Sequence, residues 1–367
     1  MRKPDQSGGI GSELRAPRAP PHGRSLAGHV QELEADIRAQ LRQWGSNLPV
    51  DAKVSIAPLR ENASHRMAIV TVEGMGRRLL VKGQPNHDLI FQSLEIESRM
   101  FKTIGPQMTA ANPATRCPEM LSYYPDRGLM LLEFVDGHRL DALQLGLARS
   151  SAYDLSRLTG LCGEWLARFH ALTRLPEQGN PFETLSESFR VAPPWLVEQD
   201  VEIYDEVRRL AEALRRRFPD FTQPLCMIHG EFAPYHILVR DGRIYVIDFG
   251  SSRKGYPFED QMFFTCFYDS RLPWRRLAGA IRMDFEEEKR RFLESYRRCS
   301  GPFDDRMGSV LRLGRIRAMA RYVTALEARD TWRATFYSRI ARPWVRRLFR
   351  NVCREELAAL KREAHTG

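Results

Sequence analysis

Apolar and polar positions alternate in short runs along the first third of the chain. AKVSIAPL (52–59), MAIVTVEG (67–74) and RRLLVKG (77–83) carry β-branched residues or period-two alternation, which predicts strands. Gly74-Met75-Gly76 between the second and third predicts a hairpin turn. LIFQSLEIESRMFKTI (89–104) changes to a helical period. MLSYY (120–124) and GLMLLEFV (128–135) return to strand, joined by the turn-forming run Pro125-Asp126-Arg127-Gly128.

After Gly137 the period lengthens. SSAYDLSRLTGLCGEWLARFHALT (150–173) predicts a long amphipathic helix, and 194–217 predicts another. A polar loop, HGEFAPYHILV (229–239), leads into GRIYVIDFG (242–250), and the two together predict a hairpin. From about Tyr268 onward the chain reads as helical and rich in arginine. Residues 1–27 are rich in Pro, Gly, Arg and Ser, with too little apolar surface to offset ordering, and predict a disordered basic tail. A helical period follows within 28–50, ending near Gly45. The layout is α+β: a small antiparallel sheet lobe with one helix over 51–135, then a larger helical lobe over 136–367.

Composition narrows the class. At 367 residues the chain can bury two cores. Its longest apolar run, Gly128 to Val135, is strand-sized and cannot cross a bilayer. The basic N-terminus lacks the apolar centre of a secretory signal. Six cysteines are scattered without a C-x-x-C pair, which argues against a zinc site and for reduced thiols in the cytoplasm. The net charge of +10 fits an anionic substrate, an anionic membrane surface or nucleic acid.

Five charged or polar residues stand beside apolar runs, where charge is expensive. Lys82 closes the run Leu79-Leu80-Val81, and Glu97 lies on the helix that follows. Glu231 and His236 sit in the polar loop, and Asp248 follows Tyr245-Val246-Ile247. Each alone has an ordinary explanation as a strand-end, helix-surface or turn residue. Together, and in this order, they resemble the aminoglycoside-phosphotransferase-like branch of the protein-kinase-like fold, over about Val54 to Phe264. LLVK supplies a strand lysine, Lys82, and Glu97 has the family's helix-glutamate setting. LLEFVDG matches the hinge through Glu133 and Gly137, WLARFH ends at His170, and His229-Gly230-Glu231 through His236 matches the catalytic loop. Ile247 to Gly250 matches the metal-binding segment, and GYPFED carries a later aspartate, Asp260.

The resemblance implies a bilobal fold and an ATP-dependent kinase. It implies that Lys82, Glu97, Ser64 and Glu133 bind the nucleotide, that Asp248 and His236 hold Mg2+ (or Mn2+), and that Glu231 with His229 serves catalysis. Phosphoryl transfer needs such a set: charge for the phosphates, a metal, and a carboxylate beside the attacking hydroxyl.

The chain departs from the pattern at three places. The base position carries Glu231 where the family has Asp, one methylene or about 1.5 Å longer. His236 stands where the family has Asn. Asn62-Ala63-Ser64-His65-Arg66 replaces the glycine-rich turn. A nucleotide-binding pseudokinase is the alternative that these departures suggest. The lipopolysaccharide-core sugar kinases offer a local match in the loop, with His five residues after the base. The C-terminal stretch 312–363 has roughly three basic residues for each acidic one, which favours anionic partners: an anionic sugar, glycan or glycolipid acceptor, with peripheral contact to the inner membrane face. Within it, Trp344, Val345, Leu348 and Phe349 either face the core or form a face for anionic headgroups. Nucleic acid fits less well, because no helix-turn-helix, zinc or RNP-type signature is present and the Lys82, Glu97 and Asp248 set would be left without a role.

Overall fold

A computed structural model describes residues 54–61, 66–73, 78–83, 91–148, 152–193, 195–196, 198–278, 283–327 and 342–366. The basic tail, the helix expected within 28–50, the 74–76 turn and Ser64 lie outside the described residues.

The first lobe is a five-stranded antiparallel sheet. Its first three strands are β1 (Val54–Glu61), β2 (Arg66–Val72) and β3 (Arg78–Gly83). Helices α1 (Phe91–Thr103) and α2 (Gly105–Ala111) and a two-residue β4 (Thr115–Arg116) follow, then β5 (Met120–Tyr124) and β6 (Leu129–Glu133). The sheet order is β1-β2-β3-β6-β5. A short 3-10 turn at Pro125–Arg127 joins the last pair, as its residues predict.

Side-chain alternation explains why β6 is apolar throughout. Leu129 and Leu131 pack with Val70, Val72, Leu79 and Val81 on one face. Met130 and Leu132 point to the other face and join the larger core around α1. Lys82 pairs in register with Met130, so it sits on the same α1-facing side.

The second lobe begins with β7 (His138–Arg139) and α3 (Leu140–Gln144), then α4 (Leu155–Leu172), capped by Asp154 accepting from the Arg157 backbone N–H at 3.0 Å. After β8 (Arg174–Gly179) and α5 (Pro181–Ser188) comes α6 (Glu198–Arg217). That helix starts four residues later than the pattern predicts. A turn closed by Leu196 N–H on the Pro193 carbonyl precedes it, and consecutive prolines disfavour helix at this point.

Strand β9 (Gln223–Ile228) runs into the polar loop, and β10 (Ile237–Arg240) and β11 (Arg243–Val246) form the expected hairpin. Its two-residue turn, Asp241-Gly242, has positive φ at both positions, the geometry that matches strand twist. After β12 (Arg253–Gly255) the remaining helices are α7 (Pro257–Ala278), α8 (Phe285–Ser300), α9 (Met307–Glu327) and α10 (Arg342–Thr366). Helix α7 starts at Pro257, earlier than the expected Tyr268, with Pro in its first turn and Glu259 and Asp260 close behind.

The second lobe is not purely helical. It holds two small sheets, β4-β11-β10-β7 and β12-β9-β8. Outside the β10–β11 hairpin, the shortest of their strands have two or three residues and no room to show a period.

The C-terminal aromatics resolve inward. Val345 and Phe349 are buried, and Trp344 and Leu348 pack against the same core as Trp195 and Val323. Phe349 meets Trp195 edge-on at 5.1 Å. Val345 and Phe349 therefore fill the lobe, with Trp344 and Leu348 packed against it and partly exposed. No helix among the described residues is long and apolar enough to cross one.

Candidate active site

The cleft between the lobes gathers charge from three separated segments. Lys82 Nζ, at the end of β3, lies 2.7 Å from Glu97 Oε2 on α1 and 2.8 Å from Asp248 Oδ1 after β11. Lys82 and Glu97 are nearly fully buried, whereas a third of the Asp248 side chain stays open. Burial alone would discharge Lys82, but Glu97 and Asp248 outweigh it and hold its pKa above the ordinary lysine value.

Asp248 is one of two non-glycine residues with positive φ (69°) among the described residues. The left-handed conformation costs roughly 1 kcal/mol for most residues and less for Asp. It is held in place by its neighbour Phe249. That ring is buried against Phe101 of α1 at 5.1 Å and against His229 at 4.9 Å, so it ties the Glu97 helix to the second lobe.

His236 closes the other side of Asp248, with Nε2 3.2 Å from Oδ2. Its Nδ1 is 2.9 Å from the Glu231 backbone carbonyl. A carbonyl only accepts, so Nδ1 carries a proton, and in the imidazolium form Nε2 also donates to Asp248. Burial works against the His236 charge, but Asp248 prevails and raises the ring's pKa. Burial likewise opposes ionisation of Asp248, and His236 and Lys82 hold its carboxyl well below the usual range.

Beneath this open cluster lies a closed one. Asp260, fully buried at the start of α7, accepts from the backbone N–H of His229 at 2.7 Å and of Gly230 at 2.8 Å. His170, from the end of α4, reaches it at 3.1 Å and also meets the Tyr296 hydroxyl at 3.0 Å. Gly230 has φ +85°, and a Cβ there would collide with the Ser251 carbonyl. Only glycine lets the loop turn this tightly over β12.

The residues expected from sequence divide in this geometry. Lys82, Glu97, Asp248 and His236 converge, and Glu231 borders them through its carbonyl. The half-buried Glu231 carboxylate has no hydrogen-bond or ion-pair partner among the described residues. His229 turns away. Its ring is fully buried, its Nε2 donates to the Ile247 carbonyl at 3.1 Å, and its Nδ1 has no partner. Burial drops its pKa to about 4, so it stays neutral and braces the loop from beneath. Glu133 also points elsewhere: its side chain accepts from the Glu119 backbone N–H at 3.3 Å.

Sequence reading passed over three arginines near the loop, Arg253, Arg317 and Arg321. The signal available was the four-residue spacing in Arg317-Ala-Met-Ala-Arg321, hidden within a longer basic stretch.

The described residues contain no group of three or more His, Cys, Asp or Glu able to hold a metal ion. Asp248 and the Nε2 of a neutral His236 nevertheless face one point. Two protein ligands are enough where phosphate oxygens and water complete the shell.

Two lobes closing on a buried lysine–carboxylate set are the architecture of kinase-like phosphotransferases. A profile of the phosphotransferase enzyme family matches residues 55–297, and the chain belongs to that family. It is a phosphotransferase acting on a hydroxyl group of a small molecule. Among solved structures, choline kinase from Cryptosporidium parvum Iowa II is 12% identical, with a TM-score of 0.51 over 90% of this chain and 97% of its own. A choline/ethanolamine kinase family protein from Mesorhizobium loti is 15% identical, with a TM-score of 0.51 over 89% of this chain and 98% of its own. An amicoumacin kinase, solved with AMP-PNP and Ca2+, is 12% identical, with a TM-score of 0.50 over 89% of this chain and 96% of its own. At these identities the likeness is one of fold. No curated protein matches the chain.

Proposed function

We propose that the protein transfers the γ-phosphate of ATP to a hydroxyl of an anionic small molecule, with a sugar, glycan or glycolipid as the acceptor class. The observation that carries this reading is the buried Lys82 ammonium held between Glu97 and Asp248. A desolvated lysine with two carboxylates is costly unless a polyanion and its counter-ion take over the pairing. Lys82 then turns to the phosphates, with Glu97 keeping it in place.

Asp248 and His236 Nε2 would hold Mg2+ or Mn2+, which supplies positive charge to the phosphate oxygens. Glu231 accepts the proton of the acceptor hydroxyl. That oxygen forms the new bond to the γ-phosphorus as the bond to the bridging oxygen breaks, and ADP leaves with the electron pair. His229 and Asp260 fix the loop that carries Glu231. The added methylene of Glu231 moves its carboxylate by about one bond length relative to an aspartate, which sets where the acceptor hydroxyl must lie. The extra reach is consistent with a base that no neighbouring side chain restrains.

The test is transfer of labelled γ-phosphate from ATP with Mg2+ or Mn2+, offered a glycolipid extract and a polar-metabolite extract in parallel, with Asp248→Asn as the blank. Label in either extract, absent from the blank, is the expected result and separates lipid-linked from free acceptors. ATP binding without label in either extract would overturn the reading in favour of a nucleotide-binding protein without transfer.

A further inference from the structure

The arginines of the second lobe fall into two sets. Arg315 on α9 is saturated: it donates to Asp269 at 2.9 Å and to Glu356 at 2.6 Å. Arg312 is shared between Glu356 and Glu363, each at 2.9 Å. These pairs hold helices together and leave no charge for a partner.

Arg317 and Arg321, two and six residues beyond Arg315 on α9, are different. With Glu259, Phe258 and Phe263 of α7 they line a narrow cleft, open to solvent on one side. Gly314 lets α7 and α9 approach there, since a Cβ would come within 2.9 Å of the Phe258 ring. Arg253 reaches the same place from β12. Its Nη2 and the Arg317 Nη1 both lie 3.0 Å from a single oxygen, Glu259 Oε2. Arg317 Nη1 is buried, and no acceptor is aligned with its N–H. Arg321 is exposed and has no ion-pair partner among the described residues. Partial burial first, then Arg253 and Arg317, lower its pKa, with Glu259 and Glu231 opposing. Arg253 and Arg317 thus share one glutamate, and Arg321 has none among the described residues.

This cleft adjoins the transfer site. A Cβ on Gly230 would stand 2.7 Å from Arg253 Nη1, so this guanidinium touches the turn leading into Glu231. Planar guanidiniums four residues apart on one helix face present paired N–H donors to a single oxyanion.

We infer that Arg253, Arg317 and Arg321 form an anion subsite that holds a phosphate or carboxylate of the acceptor while its hydroxyl lies against Glu231. This deepens the phosphotransferase reading and rests on it.

The experiment uses the full chain saturated with AMP-PNP and Mg2+, so that the nucleotide site is filled. Binding of inorganic phosphate, glucose 6-phosphate, glucuronate and neutral glucose is followed by ligand-observed NMR titration, in wild type, Arg321→Glu and Arg317→Gln. The expected result is binding of at least one charged probe and not of glucose, weakened tenfold or more by either substitution. Response to the phosphates alone assigns a phosphorylated acceptor, and response to glucuronate alone a carboxylated one. Charged probes that bind no better than glucose, or equally well to both variants, would overturn the subsite. Arg321 is exposed, so its variant reports on binding even if Arg317→Gln loosens the helix pair. AMP-PNP that fails to bind wild type would sink the phosphotransferase reading itself, and the acceptor assignment with it. A subsite failure with AMP-PNP still bound leaves that reading standing.

Discussion

Asp260 and Asp248 are twelve residues apart, and both are held as carboxylates by several donors. Asp260 is sealed: its partners are two backbone N–H groups and His170, none able to move without remaking the loop. Asp248 is partly open, and its partners are the tips of two side chains, Lys82 and His236. Backbone donors are fixed, whereas side-chain donors can rotate to a phosphate or give way to a metal. The pair shows how one loop separates its anchor from its working group. The anchor's ligands are permanent and the working group's are exchangeable.

That contrast breaks most visibly at Asp248. Asp248→Asn removes the charge but tolerates the left-handed backbone, so turnover should fall by roughly a thousandfold with Tm nearly unchanged. Equal losses of activity and Tm would mean that Asp248 is an anchor too. Asp260→Ala should show the reverse signature. It strands two buried N–H donors and a histidine, which costs about 3–5 kcal/mol of stability. Calorimetry should show a large drop in Tm, and a variant as stable as wild type would remove Asp260 from the anchoring role.

Acid should test the anchoring role of Asp260 further. Asp260 has its pKa depressed, by His170 and His229 against the effect of burial. The stability it contributes is therefore fully present above the ordinary carboxylate pKa, near 4, and is lost as pH falls through its lower folded value. Urea unfolding from pH 6 down to 3 should be steeper for wild type than for Asp260→Asn. Parallel curves would count against the coupling.

Glu231→Gln should leave nucleotide affinity intact and slow transfer by about 100-fold, within the range of a lost general base. A matching loss of affinity would place Glu231 in binding instead. The smallest effect is expected at His236. Imidazole suits Mn2+ better than Mg2+, so His236→Asn should shift the Mn2+/Mg2+ rate ratio several-fold toward Mg2+. An unchanged ratio would exclude Nε2 from the metal.

Much of the fold was legible because local rules and tertiary packing agree. The Pro125–Gly128 turn and the hairpin ahead of Asp248 form where the turn residues stand. The stripe that brings Glu97 to Lys82 follows from helix period and strand alternation together. Beyond that hairpin, the two small sheets of the second lobe were not legible, since strands such as Thr115–Arg116 have no room for a pattern. His229 was misjudged for a different reason. A histidine beside a catalytic carboxylate has the same sequence whether its ring faces the cleft or the core, and only the packing of Phe249 and Phe232 decides. The basic C-terminal stretch was similarly opaque. Arg315 and Arg321 are the same residue type, yet only Arg315 meets carboxylates, Asp269 and Glu356, from helices far away in the chain.

The left-handed backbone at Asp248 also bears on how this lineage can drift. Positive φ restricts that position to Asp, Asn and Gly at low cost, so a mutation that lengthens the acid by one carbon meets backbone resistance as well as chemical misfit. Position 231 is under no such restraint, because among the described non-glycine residues only Asp241 and Asp248 have positive φ. A longer acid could settle there with the loop unchanged. The protein's two departures from its family's loop pattern, Glu231 and His236, both fall where the main chain is permissive, and the position where it is not still carries the aspartate.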